Sequence, residues 1–297
     1  MNTVKTGFLM IMMCGILLLV GLLLGGVTGL IVFLFLSLAL NFFSYWFSDK
    51  LALKMAGRSR IVEPHEEPEL HSIVDEQVTR AGIPKPKIYV IDNESPNAFA
   101  TGRNPQNASI AATTGIMRLL NREELGGVIA HELAHVGNRD TLIMTMVATV
   151  ASAIAMVAWM AKFSLIFGGF GGRGRGGGGY GGVIGIGGLL LLAIVIPLLT
   201  TIVRLAISRT REYQADATGA KTSGAPLALA DALEKLDMGS RSIPMEANQA
   251  TAHLYIVEPM HQQAMGFLNG AGMMRLFSTH PPMSERVRRL RETQTVW

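Results

Sequence analysis

Residues 8–24 and 27–47 contain no charged side chain, and residues 142–167 and 183–207 are nearly as apolar. Each run is long enough to cross a hydrocarbon core of roughly 30 Å as a helix. Lipid offers no partner for a bare peptide group, so a spanning run of this kind must satisfy its backbone internally. The chain is therefore expected to be mainly helical, with four transmembrane helices. Composition agrees. Of 297 residues 49% are hydrophobic and only 16% charged, where a soluble domain carries roughly 25%. The first run could instead be a signal peptide. No small-x-small cleavage site follows it, however, and the second run comes at once after Gly25 and Gly26. Tyr45 and Trp46 close the second run at the level of an aromatic belt.

Lys50, Lys54, Arg58 and Arg60 follow the second run, and Arg209 and Arg211 follow the fourth. The positive-inside rule places both flanks in the cytoplasm. The +4 net charge needs no nucleic acid to explain it. The predicted organisation has three parts: two N-terminal helices at 8–47, one polar domain assembled from 48–140 and 208–297, and a membrane hairpin at 142–207. The hairpin loop, 168–182, is a Gly-rich linker without packing capacity. Within the polar domain, helical spacing puts Leu70, Ile73, Val74 and Val78 on one side of a helix. Lys87–Ile91 is predicted to be a strand, Ala98–Ala100 and Ser109–Thr113 short extended pieces, and Glu123–Asn138 a helix. The fold class is α+β, with a small sheet inside a largely helical membrane protein.

The chemistry is concentrated in GGVIAHELAHVGNRD. His131 and His135, four apart on a helix, project from one face. Neutral imidazoles at that spacing can share a zinc ion at roughly 2.0–2.1 Å. Glu132 then lies beside the ion, placed to take a proton from the water it activates. The flanks Val128, Ile129, Ala130, Leu133, Ala134 and Val136 are apolar, and buried titratable groups in such a helix need a partner that a cation supplies. With a single cysteine, Cys14, inside an apolar run, a metal site must use imidazoles and carboxylates. A catalytic zinc needs a third protein ligand and an open position. SRTREYQADATGA offers Glu212, with Asp216 four residues on to accept the far ring N–H of a ligand histidine. Asp140 is the rival third ligand. If both later runs span the membrane, the chain returns to the side on which it started and Glu212 can meet the histidines.

These motifs resemble the HtpX-like membrane zinc metalloproteases, kin of the CAAX prenyl proteases. The resemblance extends over nearly the whole chain and includes HELAHVGNRD, SRTREYQADA and the closing STHPPMSER. It implies a zincin-like cytoplasmic domain with one zinc per chain, held by His131, His135 and Glu212, with Asp216 behind a ligand histidine. It further implies that Asn97 and Ala98 bind the substrate backbone and that Ser109–Thr113 is the edge strand pairing with substrate. His280 would assist catalysis and Arg286 would lie near the active site. The Gly-rich loop is longer and lower in complexity than the resemblance implies. The expected activity is peptide-bond hydrolysis in misfolded membrane proteins, with Glu132 as general base and no nucleic-acid partner. The expected location is the inner membrane, in several passes, as part of a stress response. Three other functions stay open on sequence alone: a membrane scaffold with structural zinc, a zinc hydrolase acting on lipid, and prenyl-protein processing. Glu132, which a structural site does not need, argues against the first.

Overall fold

The computed structural model describes residues 2–145, 209–243, 256 and 281–293. The predicted spans at 142–167 and 183–207, the Gly-rich loop and His280 lie wholly or largely outside the described residues. The chain divides into two compact units, Met1–Trp46 with Met146–Leu205, and Phe47–Thr145 with Ala206–Trp297.

In the first unit, α1 (Asn2–Trp46) is helical throughout, yet the chain doubles back inside it. Gly26 has φ +57°, a left-handed conformation that other residues adopt at a cost. Across this bend, a Cβ on Gly21 would press on Phe33 at 2.7 Å, and Cys14 Sγ lies 3.2 Å from Ser37 Oγ. Two helical arms thus run side by side, and only glycine fits where they pinch. The Gly26–Trp46 arm has 21 residues and a mean hydropathy of 2.2. At 1.5 Å per residue it is about 30 Å long, the thickness of a hydrocarbon core. Its outward apolar side chains are exposed, among them Val27, Phe35 and Phe42. Ser37, Asn41 and Ser44 donate to carbonyls of the preceding turn, so these donors need no water. The apolar part of the other arm, Met10–Leu22, is shorter. Among the described residues one helix, not the expected pair, is long and apolar enough to span.

The second unit is mostly helical around a small mixed sheet. After α2 (Ser48–Met55) come β1 (Ser59–Ile61), α3 (Pro68–Ala81), β2 (Lys87–Ile91), β3 (Ala98–Gly102) and β4 (Ala108–Thr113). Next come α4 (Thr114–Leu119), α5 (Arg122–Gly137), α6 (Arg209–Ser223), α7 (Pro226–Ser242) and α8 (Met283–Thr293). The strand order is β1-β2-β4-β3, with β2 and β4 parallel and the outer pairs antiparallel. This corrects one expectation. Ser109–Thr113 lies in β4, which is paired on both sides, so its peptide groups are committed. Among the described residues the outer strand beside the histidine helix is β3. The reversal between β3 and β4 uses Gly102 at φ +130°, where a side chain would collide with the Asn107 carbonyl.

Helix α5 is the axis of this unit. Its N-terminus is fixed by a capping box: Asn121 Oδ1 accepts the Glu124 N–H at 2.9 Å, and Glu124 Oε2 accepts the Asn121 N–H at 3.0 Å. Lys235 Nζ neutralises Glu124 at 2.7 Å. From Glu124 to Val136 every residue of α5 is buried, the state expected of a helix that is apolar all round. Leu70, Ile73 and Val74 of α3, Ile88 and Val90 of β2, Ile110 of β4 and Leu229, Leu233 and Leu236 of α7 join Val128, Ile129 and Leu133 in one core. Burying each large aliphatic side chain contributes about 1.5–3 kcal/mol, so α5 is held from several sides at once. His71, without ligand spacing in the sequence, proves to be a core histidine whose Nε2 lies 3.0 Å from the Val62 carbonyl.

Helix α6 approaches α5 unusually closely. A Cβ on Gly219 would sit 2.8 Å from the backbone N and Cα of His131. Gly219→Ala must therefore push the helices apart, at about 1–3 kcal/mol for overpacking, and shift Glu212 away from the histidines. A lower melting temperature and weaker zinc binding are expected. Gly137→Ala is the control, because a Cβ there meets nothing within 4 Å. Equal behaviour of the two variants would refute the close-approach argument.

Candidate metal centre

Two buried turns of α5 and one turn of α6 converge on a single point. His131 and His135 stand one turn apart on α5, with ring centroids 4.9 Å apart and planes at 87°. Glu212, in the first turn of α6, reaches over them. Its Oε1 is 3.4 Å from His135 Nε2 and its Oε2 is 3.9 Å from His131 Nε2. The three residues can each offer one ligand atom, all within 4.8 Å of one another, and all three are buried. A tetrahedral ion with bonds of roughly 2.0–2.1 Å requires ligand atoms about 3.3 Å apart. The separations of 3.4 and 3.9 Å from Glu212 to the two rings come near this, and two imidazoles with one carboxylate form the donor set of an open, catalytic zinc site.

The outer nitrogens of both rings face carboxylates. His131 Nδ1 lies 3.0 Å from Asp216 Oδ1. Asp216 is in turn gripped by Arg286, with Nε to Oδ2 at 2.8 Å and Nη2 to Oδ1 at 2.7 Å. Arg286 is entirely buried, and its Nη1 is also 3.7 Å from Glu212 Oε2. Asp140, the rival ligand, instead faces His135 Nδ1 at 3.4 Å, on the side of the ring away from Glu212. It is not a member of the three-residue cluster.

Glu132 points to the other neighbour of α5. Its Oε2 accepts the Ala100 N–H of β3 at 2.9 Å. Ala98 opens the same strand and Asn97 directly precedes it, both buried; Asn97 Oδ1 accepts the Ala98 N–H at 3.1 Å. The Ala98 carbonyl accepts the Ile256 N–H at 3.2 Å, and the Ile256 carbonyl accepts from Arg286 Nη1 at 3.4 Å. The structure therefore brings together His131, Glu132, His135, Glu212, Asp216 and Arg286, with Asn97–Ala98 on the adjoining strand.

Burial shapes the titration of these groups. It pushes Glu132 up to about 7, the charge of His135 pulling against it and that of Glu212 adding to it. It acts to lower His135, but hydrogen bonds to Asp140 and Glu212 outweigh this and hold the imidazole up at about 10. His131 is lowered, burial prevailing over its bond to Asp216. For Asp216, burial is overcome by the charge and hydrogen bonds of Arg286, and the carboxyl is held well below its usual range.

The model of peptidase family M48 matches residues 64–294, a stretch that holds every group just described. The chain belongs to peptidase family M48. Among its relatives in that family, Protease HtpX homolog of Desulfatibacillum aliphaticivorans is 49% identical over 289 residues, covering 97% of this chain and 89% of that one. The protein of the same name from Persephonella marina is 50% identical over 297 residues, covering 98% and 97%. That from Pyrococcus furiosus is 47% identical over 290 residues, covering 97% and 95%. The crystal structure of S. mikatae Ste24p aligns with a TM-score of 0.50 at 21% identity, covering 96% of this chain and 62% of that one. At that identity the likeness speaks for the fold alone. The expected HtpX-like family is thus met, and this M48 member is a membrane metalloprotease.

Three features escaped the sequence reading. Ala100 matters through its backbone N–H, which no residue type reveals. Asp140 was visible only as a possible ligand. The pairing of Arg286 with Asp216 depends on contact between residues 70 positions apart.

Proposed function

We propose that this M48 protease is a zinc-dependent endopeptidase, anchored in the cell inner membrane by several spans, with its catalytic unit in the cytoplasm. Its proposed substrates are misfolded or damaged membrane proteins, cleaved as part of a stress response. The observation that carries this reading is Glu132, buried beside three convergent ligands and aimed by the Ala100 N–H. His131, His135 and Glu212 would hold the zinc. When bound there, zinc supplies Lewis acidity to the scissile carbonyl and lowers the pKa of the attacking water toward roughly 7.

The remaining work falls to the chain. The Glu132 carboxylate accepts a proton from the attacking water as its oxygen bonds to the peptide carbon. The protonated carboxyl then delivers that proton to the amine as the C–N bond breaks. A carboxylate held within reach of both the water and the leaving amine can do both. His280 is the proposed hydrogen-bond donor to the carbonyl oxygen. Arg286 acts through Asp216 to orient His131. An extended substrate would pair with the β3 edge beside Asn97 and Ala98, taking the place of the Ile256 N–H. Backbone pairing of this kind reads side chains weakly, which suits varied unfolded substrates.

The test is cleavage of unfolded casein by the detergent-solubilised chain. A chelator should abolish cleavage and added zinc should restore it. Because His135 holds its proton up to about 10, zinc must displace that proton. Restoration should therefore need about tenfold less free zinc for each unit that pH rises between 6 and 8. Cleavage that survives complete removal of metal would sink the proposal.

A further inference from the structure

The molecule contains a second arginine–aspartate–histidine chain that mirrors the one through Arg286. Asp140 Oδ2 lies 3.4 Å from His135 Nδ1, and Asp140 Oδ1 lies 3.6 Å from Arg211 Nη1. Asp140 is 2% exposed and Arg211 8%. From these contacts we infer that Asp140 and Arg211 are positioning residues for the metal centre, holding the His135 ring so that its Nε2 faces Glu212. The inference rests on the zinc reading above.

The local backbone is built for this contact. Helix α5 ends at Gly137, and Arg139 adopts φ +58°. For a residue with a side chain the left-handed region costs roughly 1 kcal/mol, and such strain persists only where the surroundings enforce it. Here the reversal turns the chain so that Asp140, five residues beyond His135, comes back against the ring it has just passed. The next residue fastens the turn: Thr141 Oγ1 donates to the Gly102 carbonyl of β3 at 2.9 Å. On the other side, α6 supplies Arg211 immediately before the ligand Glu212. Adjacent residues of α6 therefore deliver both a ligand to the front of His135 and a cation behind its supporting carboxylate.

The physics is that of a carboxylate behind a metal-bound imidazole. A hydrogen bond to Nδ1–H fixes the tautomer, leaves the Nε2 lone pair facing the metal and raises its basicity. Arg211 places a cation behind Asp140 inside an apolar surround, where a lone carboxylate would be costly. Both contacts are longer than their counterparts around His131, where the distances are 3.0 and 2.7 Å. Asp140 should therefore matter less than Asp216, but measurably.

The experiment is zinc affinity of the full chain in detergent, measured by competition with a fluorescent chelator. Asp140→Ala should weaken zinc binding about 10–100-fold. Asp140→Asn, which keeps an acceptor for Nδ1–H, should recover part of that loss. Asp216→Asn should lose at least as much as Asp140→Asn. Arg211→Met should weaken zinc binding too, and its effect should be largely absent in the Asp140→Ala background. Arg139→Gly, which keeps the turn and drops only the side chain, should bind zinc like the wild type. Selective ¹⁵N-histidine spectra of the zinc-loaded chain should show a displaced His135 Nδ1 signal in Asp140→Ala. If Asp140→Ala binds zinc within twofold of wild type, or only lowers the melting temperature of the metal-free chain, the inference falls. If the wild type itself binds no zinc, the metal-centre reading has failed instead.

Discussion

Glu132→Gln should leave zinc content unchanged and reduce casein cleavage roughly 10²–10⁴-fold, the range that a positioned general base contributes. Glutamine fills the same volume and its amide oxygen can still accept the Ala100 N–H, which now meets Glu132 Oε2 at 2.9 Å. What disappears is a group able to take a proton and return it. The same substitution has a second signature, in stability. Glu132 titrates near 7 in the fold, above its ordinary value of 4.5, because burial disfavours its charge. A raised carboxyl pKa means that its contribution is fully present below about 4.5 and is lost as pH rises through about 7. Above that pH the ionised carboxylate opposes folding of the metal-free chain. The metal-free variant should then melt no lower than the metal-free wild type at pH 8. Cleavage retained above about a tenth of wild type, in a preparation free of other proteases, would move the base elsewhere.

Arg286→Met should cause the largest loss of stability of any single change near the site. The guanidinium is fully buried and makes two hydrogen bonds, at 2.7 and 2.8 Å, to an aspartate that is 4% exposed. Removing it leaves Asp216 buried without its cation, with the Glu212 carboxylate close by. Breaking one side of such a pair costs about 3–5 kcal/mol, on the order of 10 °C in melting temperature for a unit of this size. Asp216→Asn in the same chain should recover part of the loss by removing the stranded charge. Because Arg286 depresses the Asp216 pKa, the stabilisation is present above the ordinary aspartate value of about 3.9. It is lost as pH falls through the native value. The gap between wild type and Arg286→Met should therefore be widest at neutral and higher pH and narrow as pH falls and the stranded Asp216 of the variant takes up a proton. A shift of less than about 3 °C at neutral pH would show that the pair is not holding α6 and α8 together.

Much of this was readable in the chain because it is local. The spacing of His131 and His135, the apolar flanks of α5 and the i, i+4 relation of Glu212 and Asp216 are short-range facts, and helical geometry turns each into a direction. The extended segments expected at 87–91, 98–100 and 109–113 are found as strands at 87–91, 98–102 and 108–113. Strand order was not local. Ser109–Thr113 was expected at an edge from the family resemblance, and nothing in a strand's own sequence says how many neighbours it has; β3 took that place. Nor could the sequence show that Asp140 folds back. The residue that turns the chain is Arg139, not a glycine, so the usual signal of a left-handed reversal was missing. Gly219 carried a signal that could have been used. A glycine inside a helix, three residues past Asp216, marks a close helix contact more often than chance.

The central claim is that one ion is shared by His131, His135 and Glu212, and zinc content by mass spectrometry tests it most directly. Wild type, His135→Ala and Glu212→Ala should be purified in parallel in detergent and dialysed against the same low level of free zinc. Wild type should carry about one zinc per chain, and each variant less than about a tenth of that. A Glu212→Ala chain that keeps its full complement of zinc would show that the carboxylate from α6 is not a ligand, and the account of the site would be wrong.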